Sequence, residues 1–527
     1  MGLPICAGAP PGRCSVLGSL RFGCCHNPLG AIFVSALCQP SRRPPPRADS
    51  SSARTRVRCV LTRLQIDGFK NLRGVDLRFG PLTCIAGSNG VGKSNLFDAI
   101  ALLSDLASMP LVKAATRVRG TGGRLGGIAQ LFGRFGDAPP VIRLTAEMIV
   151  PRRVSDDFDR PADATATCLR YTVELALKTD ETAQQGSALQ LQHEELVALS
   201  LEAATRELKF QPDKDWKKRY LKGPGSRTAP FIETLPDGVV KLWGDKGGRG
   251  RPFSVPAAKS PQTLMAGVSA STHPTALAAR REMQSWRQLQ LEPTALRAPD
   301  EFGDDDRVSA TGGHLPNALR RIGCEAELAN LLAELIPGVL SVAVDSDEAR
   351  QQRVLRVVLR DHRGYDASSL SDGTLRFIAL GLLGLDPRAS GLICLEEPEN
   401  GIHPQRLPEM MRLVQVLAED IPIDGLDDQV AACAAPRQVI INTHSPLVVM
   451  NLADDTLLMA DTVRQQGREW VTFKALPGTW RSAGLQAAQV LSKGALAAYL
   501  GAGARHGPVR PGRRSVHDHW TGDLFAG

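Results

Sequence analysis

The amino-acid sequence predicts an α/β protein with a mainly parallel sheet and an inserted β-rich lobe. Three short apolar runs, Leu82 to Ala86, Leu392 to Leu395 and Val439 to Ile441, each end in glycine or polar residues. Strands that are apolar throughout are typical of sheets covered on both faces. Amphipathic helical patterns follow the first run and precede the second. Between these segments, apolar stretches of strand length predict the additional lobe.

Composition sets the broad class of protein. The chain has 527 residues, of which 43% are hydrophobic and 22% are charged, so more than one compact region is expected. Its longest apolar run, Leu29 to Cys38, is about half of the roughly 20 residues that a membrane helix needs. Eleven cysteines without C-x-x-C spacing favour neither a disulfide framework nor a zinc site. We therefore expect a protein of a reducing, cytoplasmic compartment that does not span a membrane.

The first 59 residues differ in composition from the rest of the chain. They carry eight arginines and one acid, a net charge of +7, whereas the other 468 residues carry 55 basic and 54 acidic groups. The overall charge is therefore no evidence for a nucleic-acid partner. We interpret residues 1–59 as a disordered extension or a misassigned start, with a targeting peptide as the alternative.

A phosphate-binding loop is predicted near the start of the patterned region. Two short strands, Leu61 to Ile66 and Val75 to Phe79, precede the apolar strand Leu82 to Ala86. That strand leads into G-x-x-x-x-G-K-S, which an amphipathic helix follows. In such a loop the backbone N–H groups surround a phosphate, the lysine reaches the β and γ phosphates, and the serine binds Mg²⁺. The residues of this motif are Gly87, Ser88, Asn89, Gly90, Val91, Gly92, Lys93 and Ser94.

Three further motifs follow in the second half of the chain. The segment Ser369 to Thr374 (S-L-S-D-G-T) precedes an amphipathic helix. The strand Leu392 to Leu395 ends in Glu396 and Glu397, and the strand Val439 to Ile441 ends shortly before His444. Because parallel strands present ligand sites at their carboxyl ends, these side chains are expected to converge on the phosphate loop.

The order of these motifs resembles the ABC-type ATPase heads of RecF, of the structural-maintenance-of-chromosomes (SMC) proteins and of the OLD-type ATPases. L-S-D-G-T is similar to their L-S-G-G-Q signature, and the segment Ile66 to Leu72 resembles their opening strand and turn. The spelling L-E-E-P-E-N-G-I-H-P is most similar to the RecF-like or AAA-type predicted ATPases of bacteria. The resemblance covers about residues 60–150 and 310–460. It implies a P-loop NTPase with an ABC-ATPase-like head.

The resemblance also implies roles for individual residues. Lys93 and Ser94 would hold the phosphates of ATP and Mg²⁺, with Glu396 and Gln130 as further metal-associated residues. Glu397 would be the general base that activates the attacking water, and His444 would sense the γ phosphate. Two heads of this family enclose two ATP molecules. A homodimer formed on ATP binding is therefore implied, in which Ser371 and Gly373 act in trans.

Two departures from the family pattern affect this expectation. Asp372 replaces a signature glycine, and an acid near the γ phosphate would repel it unless it points away. Glu396 stands where an aspartate is usual, which adds one methylene between the backbone and the metal. A head that binds ATP as a switch without hydrolysing it is therefore one possible outcome.

The predicted domain division follows from these patterns. Residues 60–150 form the first part of the head with the P-loop, 151–310 an inserted β-rich lobe with long loops, and 311–480 the second part of the head. Residues 481–527 are expected to form a loose tail. Within the insert, Lys214 to Lys222 combines five basic residues with Trp216 and Tyr220, which suits either nucleic-acid binding or a solvated basic loop.

Two functions from different classes remain open. The first is a RecF-like ATPase acting on DNA in repair or genome maintenance. The second is a regulatory ATPase that gates a partner nuclease or toxin in phage defence. Only about 80 residues follow Ser445, too few for the nuclease domain of the OLD-type proteins, so any cleavage is expected from a separate protein. Both functions rest on family resemblance, because a fold alone does not specify a function.

Overall fold

The computed structural model describes residues 60–135, 139–178, 188–208, 214–225, 229–245, 251–269, 271–336, 338–418, 437–465 and 467–501. All of them belong to one compact unit of the chain. The N-terminal extension predicted for residues 1–59 lies outside the described residues. In the ranges given above, no helix is both long and apolar enough to cross a membrane.

The described residues form twenty strands and thirteen α-helices. The strands are β1 (Leu61–Asp67), β2 (Val75–Arg78), β3 (Leu82–Ala86), β4 (Val141–Ile149), β5 (Arg153–Ser155), β6 (Pro161–Asp163), β7 (Cys168–Lys178), β8 (Ala188–Ala198), β9 (Ile232–Thr234), β10 (Val239–Leu242), β11 (Phe253–Pro256), β12 (Arg287–Leu289), β13 (Asp300–Glu301), β14 (Val339–Asp347), β15 (Gln352–Leu359), β16 (Gly364–Asp366), β17 (Gly391–Glu396), β18 (Arg437–Thr443), β19 (Leu457–Gln465) and β20 (Arg468–Ala475). The helices are α1 (Lys93–Leu106), α2 (Leu111–Arg117), α3 (Leu201–Glu207), α4 (Lys214–Tyr220), α5 (Leu264–Gly267), α6 (Pro274–Gln284), α7 (Pro293–Arg297), α8 (Leu315–Ile322), α9 (Glu325–Leu335), α10 (Asp372–Leu385), α11 (Leu407–Ala418), α12 (Pro446–Met450) and α13 (Lys493–Gly501).

A six-stranded sheet forms the centre of the head. Its strand order is β12-β17-β18-β3-β19-β20, and every neighbouring pair is parallel except β19 and β20. The three apolar runs of the sequence are β3, β17 and β18, which lie next to one another in this sheet. The predicted α/β fold with a mainly parallel sheet is therefore confirmed.

Both faces of this sheet are buried, which explains why its strands are apolar throughout. In β3, Ile85 packs into one hydrophobic core, whereas Cys84 and Ala86 pack into the other. The first core contains α1 and the strands of a second sheet. The second core contains α8 to α11. The head is thus a layered α/β structure around one central sheet.

The second large sheet is antiparallel and has eight strands in the order β11-β10-β9-β8-β7-β4-β1-β2. It joins the first strands of the head, β1, β2 and β4, to the strands β7 and β8 of the predicted β-rich insert. A smaller sheet combines β13, β14, β15 and β16, and β5 pairs with β6. The strands β7 to β11 of the β-rich lobe therefore continue the sheet that begins with β1, β2 and β4 of the head.

Residues 223–306 contain more regular structure than we expected. The Gly- and Pro-rich composition indicated long loops, but the described part of this range contains β9 to β13 and α5 to α7. The strand β12 even joins the central head sheet, parallel to β17. Strands of two to four residues are too short to show an alternation of apolar and polar residues, so the expectation rested on composition alone.

The loose tail expected from residue 481 is also not what the described part shows. Arg481 is only 5% exposed and donates hydrogen bonds to the Thr83 hydroxyl, at 2.7 Å, and to the Asp455 carbonyl, at 2.7 Å. Leu491 and Leu496 are buried in the second core. Residues up to 501 therefore pack on the head, and 502–527 lie outside the described residues.

Candidate nucleotide site of the head

The sheet register brings the predicted motifs to one edge. Thr443 of β18 pairs with Ala86 of β3, and Asn442 pairs with Glu396 of β17. The P-loop, the two glutamates and His444 therefore follow neighbouring strand ends at the same level. Polar side chains at the carboxyl ends of parallel strands form the ligand site of such folds.

The P-loop has the geometry of an anion-binding turn. Gly92 precedes the first residue of α1 and has φ +114°, which favours glycine. Lys93 is buried, and its ammonium group donates to the carbonyls of Gly87, at 2.7 Å, and Ser88, at 2.8 Å. Burial lowers the pKa of Lys93, whereas the charges of Glu397 and Glu399 act in the opposite direction. The lysine thus stays inside the loop that would surround a phosphate.

Asn71, in the turn between β1 and β2, braces this loop. Its amide donates to the Val91 carbonyl at 3.0 Å and accepts a hydrogen bond from Asn95 at 2.8 Å. A Cβ atom at Gly92 would lie only 2.5 Å from the Asn71 side chain. Close contact between loop and turn therefore requires glycine at position 92. Asn71 lies within the segment Ile66 to Leu72, but nothing in the sequence indicated its contact with the P-loop.

Glu397 occupies a constrained position at the end of β17. Its φ is +43°, which is unusual for a residue other than glycine. Its backbone N–H donates to the side chain of Asn442 at 2.9 Å. The carboxylate accepts a hydrogen bond from Asn400 at 2.8 Å and lies 3.0 Å from Nδ1 of His444. The two residues that we predicted as catalytic are therefore in direct contact.

The hydrogen bonds around Glu397 also set its ionisation. Burial raises its pKa, but hydrogen bonds from Asn400 and His444 and the charge of Lys93 outweigh that effect. The net result is a pKa below the usual value of a glutamate. The carboxylate is therefore held in its anionic form, which a base requires.

Asn442 links Glu397 to the P-loop helix. Besides accepting from the Glu397 N–H, its amide lies 3.4 Å from the hydroxyl of Ser94. Asn442 is only 1% exposed, so its side chain is fixed between the two motifs. The sequence alone assigned no role to Asn442. An asparagine directly after the apolar run Val439 to Ile441 was the signal that could have identified it.

Glu396 contacts two residues that sequence reasoning missed. Arg119 lies 2.8 Å from one of its carboxylate oxygens, and the amide of Gln288 donates to the same oxygen. Arg119 also contacts Asp98 at 2.7 Å and donates to the backbone carbonyl of Ser94 at 3.1 Å. These residues are far apart in the chain, so no local pattern could connect them.

The oxygen donors near Arg119 fit a magnesium ion. Mg²⁺ prefers carboxylate and hydroxyl oxygens, and Ser94 and Glu396 offer one of each. One guanidinium contacts the Glu396 carboxylate and the backbone carbonyl of Ser94, so the two residues lie near each other. Gln130 is the last residue but one of the 3₁₀ turn Leu125–Leu131 and is exposed. In the described part of the chain, its side chain makes no hydrogen bond with Ser94 or Glu396, so its metal role stays a prediction.

The signature segment caps the helix α10. The hydroxyl of Ser371 accepts a hydrogen bond from the Thr374 N–H at 3.2 Å, which makes Ser371 the N-cap. Asp372 forms an ion pair with Arg297 of α7, and the same arginine donates to the Leu370 carbonyl at 3.0 Å. The negative charge that departs from the family pattern is therefore paired within the same chain. A second consequence is that α7, inside the predicted insert, contacts the signature.

The other side of the signature contacts the turn after β17. A Cβ atom at Gly373 would lie 3.3 Å from the Gly401 carbonyl and 3.4 Å from Ile402. Ser371 is exposed and Gly373 is half-buried. The signature thus packs on its own head while the cap residue faces solvent.

The fold and this arrangement are those of a P-loop NTPase with an ABC-ATPase-like head. Two AAA-type family models agree with that class. One, described as "AAA domain, putative AbiEii toxin, Type IV TA system", matches residues 270–451 and so includes the signature, both glutamates and His444. The other, described as "AAA domain", matches residues 63–104, which contain the P-loop. The predicted ABC-type head is therefore confirmed.

Several solved structures of SMC heads are similar to this chain. A structure described as the SmcHead bound to the C-winged helix domain of ScpA has 13% identity and a TM-score of 0.41, covering 79% of this chain and 98% of that chain. The SMC head domain from Thermotoga maritima has 14% identity and a TM-score of 0.33, covering 78% and 98%. An Smc head with an extended coiled coil, bound to the C-terminal domain of ScpA from Pyrococcus furiosus, has 12% identity and a TM-score of 0.38, covering 79% and 96%. No curated protein matches the sequence significantly.

The basic segment in the insert forms the helix Lys214–Tyr220. The side chain of Trp216 lies outside the described part, so its predicted stacking role is untested. Lys222 donates to the Ala164 carbonyl at 2.7 Å, which fixes this lysine on the lobe.

Proposed function

We propose that the protein hydrolyses ATP to ADP and phosphate with Mg²⁺. The observation that supports this most strongly is the Glu397 carboxylate, which hydrogen bonds with His444 and Asn400 hold at a strand end next to the P-loop. Hydrolysis of ATP requires a positioned water, charge neutralisation and an in-line arrangement. A carboxylate kept anionic beside a buried lysine supplies the first two.

Each residue of the site has a distinct proposed task. The P-loop N–H groups and Lys93 bind the phosphates, and Glu397 takes a proton from the attacking water. His444, through its contact with Glu397, orients that carboxylate and senses the γ phosphate. Ser94 and Glu396 hold Mg²⁺, which neutralises charge on the phosphate oxygens when bound. Asn442 keeps Ser94 and Glu397 in register.

We further propose that ATP binding drives formation of a homodimer. Ser371 is exposed at the N-terminus of α10, where helix N–H groups favour an anion. In a second copy, the same edge carries the P-loop, so a nucleotide held there would meet Ser371 and Gly373 from the partner. The ion pair of Asp372 with Arg297 reduces the repulsion that an unpaired acid would cause.

The first candidate for the biological task is a RecF-like role on DNA in repair or genome maintenance. It is supported by the order of motifs and by the basic segment Lys214 to Lys222. A second candidate, gating of a partner nuclease or toxin, is favoured by the family description of the match to residues 270–451, which refers to a toxin system. The two candidates differ in what should stimulate turnover.

Steady-state ATP hydrolysis tests these proposals. The full-length chain is assayed with and without single-stranded and duplex DNA, using Glu397→Gln as the blank. A Glu397-dependent rate that rises several-fold with DNA supports the first task. A Glu397-dependent rate that ignores DNA, together with a co-purifying protein, supports the second. ATP binding without a rate above the blank contradicts the proposed hydrolysis.

A further inference from the structure

Arg119 contacts one proposed metal ligand, Glu396, and the backbone carbonyl of the other, Ser94. It lies in the loop after α2, and its guanidinium reaches three groups. These are Asp98 at 2.7 Å, Glu396 at 2.8 Å and the Ser94 carbonyl at 3.1 Å. A planar guanidinium can satisfy several acceptors at once, which a lysine cannot do. Arg119 therefore fills the space between the P-loop helix and the end of β17.

The two acids that Arg119 contacts, Asp98 and Glu396, differ in their other ion-pair partners. Asp98 also pairs with Lys70 at 2.7 Å, so it keeps a cation without Arg119. Within the part of the chain that the structure describes, Arg119 forms the one ion pair of Glu396, whose side chain is 11% exposed. Gln288 adds a neutral hydrogen bond to Glu396. The charge of Glu396 is thus neutralised by Arg119.

We propose that Arg119 is a placeholder cation for the magnesium ion of this head. It neutralises Glu396 before the metal binds, and it leaves that carboxylate when Mg²⁺ reaches Ser94 and Glu396. This inference rests on the proposed nucleotide function and adds that Arg119 competes with Mg²⁺ for Glu396. A guanidinium and a divalent cation repel each other at contact distance, so both cannot keep the same carboxylate oxygens.

The surroundings of Arg119 leave room for its side chain to move away from Glu396. The Arg119 side chain is 41% exposed, so it can turn towards solvent. Gly120, Gly122 and Gly123 follow it with φ of +93°, +60° and +68°. Glycine reaches many other backbone conformations at little cost. When Arg119 leaves Glu396, Lys70 still neutralises Asp98, so no buried acid is left alone.

If Arg119 and Mg²⁺ compete for Glu396, removal of Arg119 should change the Mg²⁺ requirement in one direction. Removing the guanidinium frees Glu396, so less Mg²⁺ should be needed to fill the site. The test measures binding of the fluorescent nucleotide mant-ATP to the full-length chain during a Mg²⁺ titration. We expect Arg119→Gln to lower the Mg²⁺ concentration at half-saturation about fivefold, the scale of one charge-assisted, partly buried contact. Arg119→Lys, which keeps the charge, should stay closer to the parent.

Arg117→Gln is the matched control. Arg117 ends α2, is 61% exposed, and pairs with Asp105 at 3.3 Å away from Glu396. It should leave the Mg²⁺ requirement unchanged. Thermal unfolding of each variant confirms that it is folded, and Arg119→Met provides a second neutral variant with a similar stem if glutamine destabilises the chain.

The outcomes separate this inference from the proposed function. If the parent binds mant-ATP in a Mg²⁺-dependent way but the neutral variants need the same or more Mg²⁺, the placeholder role is wrong and the proposed function stands. Neutral variants that need more Mg²⁺ would show instead that Arg119 positions Glu396 for the metal. If the parent itself shows no Mg²⁺-dependent binding, the proposed function is overturned, and the inference with it.

Discussion

Nδ1 of His444 lies 3.0 Å from a carboxylate oxygen of Glu397, so the ends of two neighbouring parallel strands are joined by a hydrogen bond between side chains. The same carboxylate accepts from Asn400, and the Glu397 backbone donates to Asn442. Two hydrogen bonds therefore fix the side chain of Glu397 and one fixes its backbone. Hydrogen bonds within the chain therefore orient the proposed base.

The acidic limb of the pH–rate profile should depend on Asn400. Its hydrogen bond lowers the pKa of Glu397, so the carboxylate stays ionised at lower pH than an ordinary glutamate. Replacing Asn400 with leucine removes that donor and raises the pKa. The acidic limb of kcat/KM should then move to higher pH. Asn451→Leu, at an exposed asparagine that donates to the Leu447 carbonyl, should leave the limb in place.

Two glycines of the P-loop should respond differently to alanine. Both have positive φ, so both variants carry backbone strain. At Gly92 the new Cβ would also lie 2.5 Å from Asn71, whereas at Gly90 nothing lies within 4 Å. We expect Gly92→Ala to weaken ATP binding at least tenfold and Gly90→Ala to weaken it less. Equal losses in an ATP titration would show that contact with Asn71 does not matter.

The ion pair between Asp372 and Arg297 predicts that a second substitution restores what the first one weakens. Arg297→Gln leaves the charge of Asp372 unpaired next to the proposed trans phosphate, so ATP-induced dimerisation should weaken about tenfold or more. Adding Asp372→Gly removes the unpaired charge and should restore much of the dimer. Analytical ultracentrifugation with ATP, in a Glu397→Gln background, measures both variants. A double variant as weak as Arg297→Gln alone would argue against this explanation.

Glu282 predicts how stability varies with pH. Burial raises its pKa to about 7, although hydrogen bonds from Ser285 and Trp286 act in the opposite direction. The folded protein therefore binds this proton more tightly than the unfolded chain. Its contribution to stability is fully present below about pH 4.5 and is lost as pH rises towards about 7.

Glu282→Gln keeps the shape and the acceptor oxygen but has no charge to bury. At pH 8 we expect the variant to unfold at a higher temperature than the parent. The corresponding gain in the free energy of unfolding is on the order of 2 kcal/mol. At pH 5 the difference should be small. Glu202→Gln, at an exposed position of α3, is the control. A parent and variant with the same pH dependence of unfolding would refute the assignment.

Local patterns predicted the elements that carry the site. An apolar strand followed by a glycine-rich turn and an amphipathic helix specifies β3, the P-loop and α1 in sequence. The strand ends at Glu396 and His444 could be predicted in the same way, because a strand buried on both faces leaves a continuous apolar run. Their convergence followed from the geometry of parallel sheets.

The contacts within the site could not be predicted in this way. Arg119 and Gln288 reach Glu396 from 277 and 108 residues away in the chain, and nothing in their local sequence distinguishes them from surface residues. The resemblance implied a metal-associated role for Gln130, which stays a prediction, whereas the glutamine that contacts Glu396 is Gln288. It lies on β12, a three-residue strand too short to be detected from alternation.

The most direct test of the account compares ATP hydrolysis by the full-length parent and by Glu397→Gln, with ATP binding measured for both. Lys93→Ala, which removes the phosphate-binding ammonium group, serves as the blank for binding. We predict that Glu397→Gln binds ATP as well as the parent but hydrolyses it at least 100-fold more slowly, the typical contribution of a general base. Equal hydrolysis rates in the parent and Glu397→Gln, or a parent that binds ATP without hydrolysing it, would contradict the proposed role of Glu397.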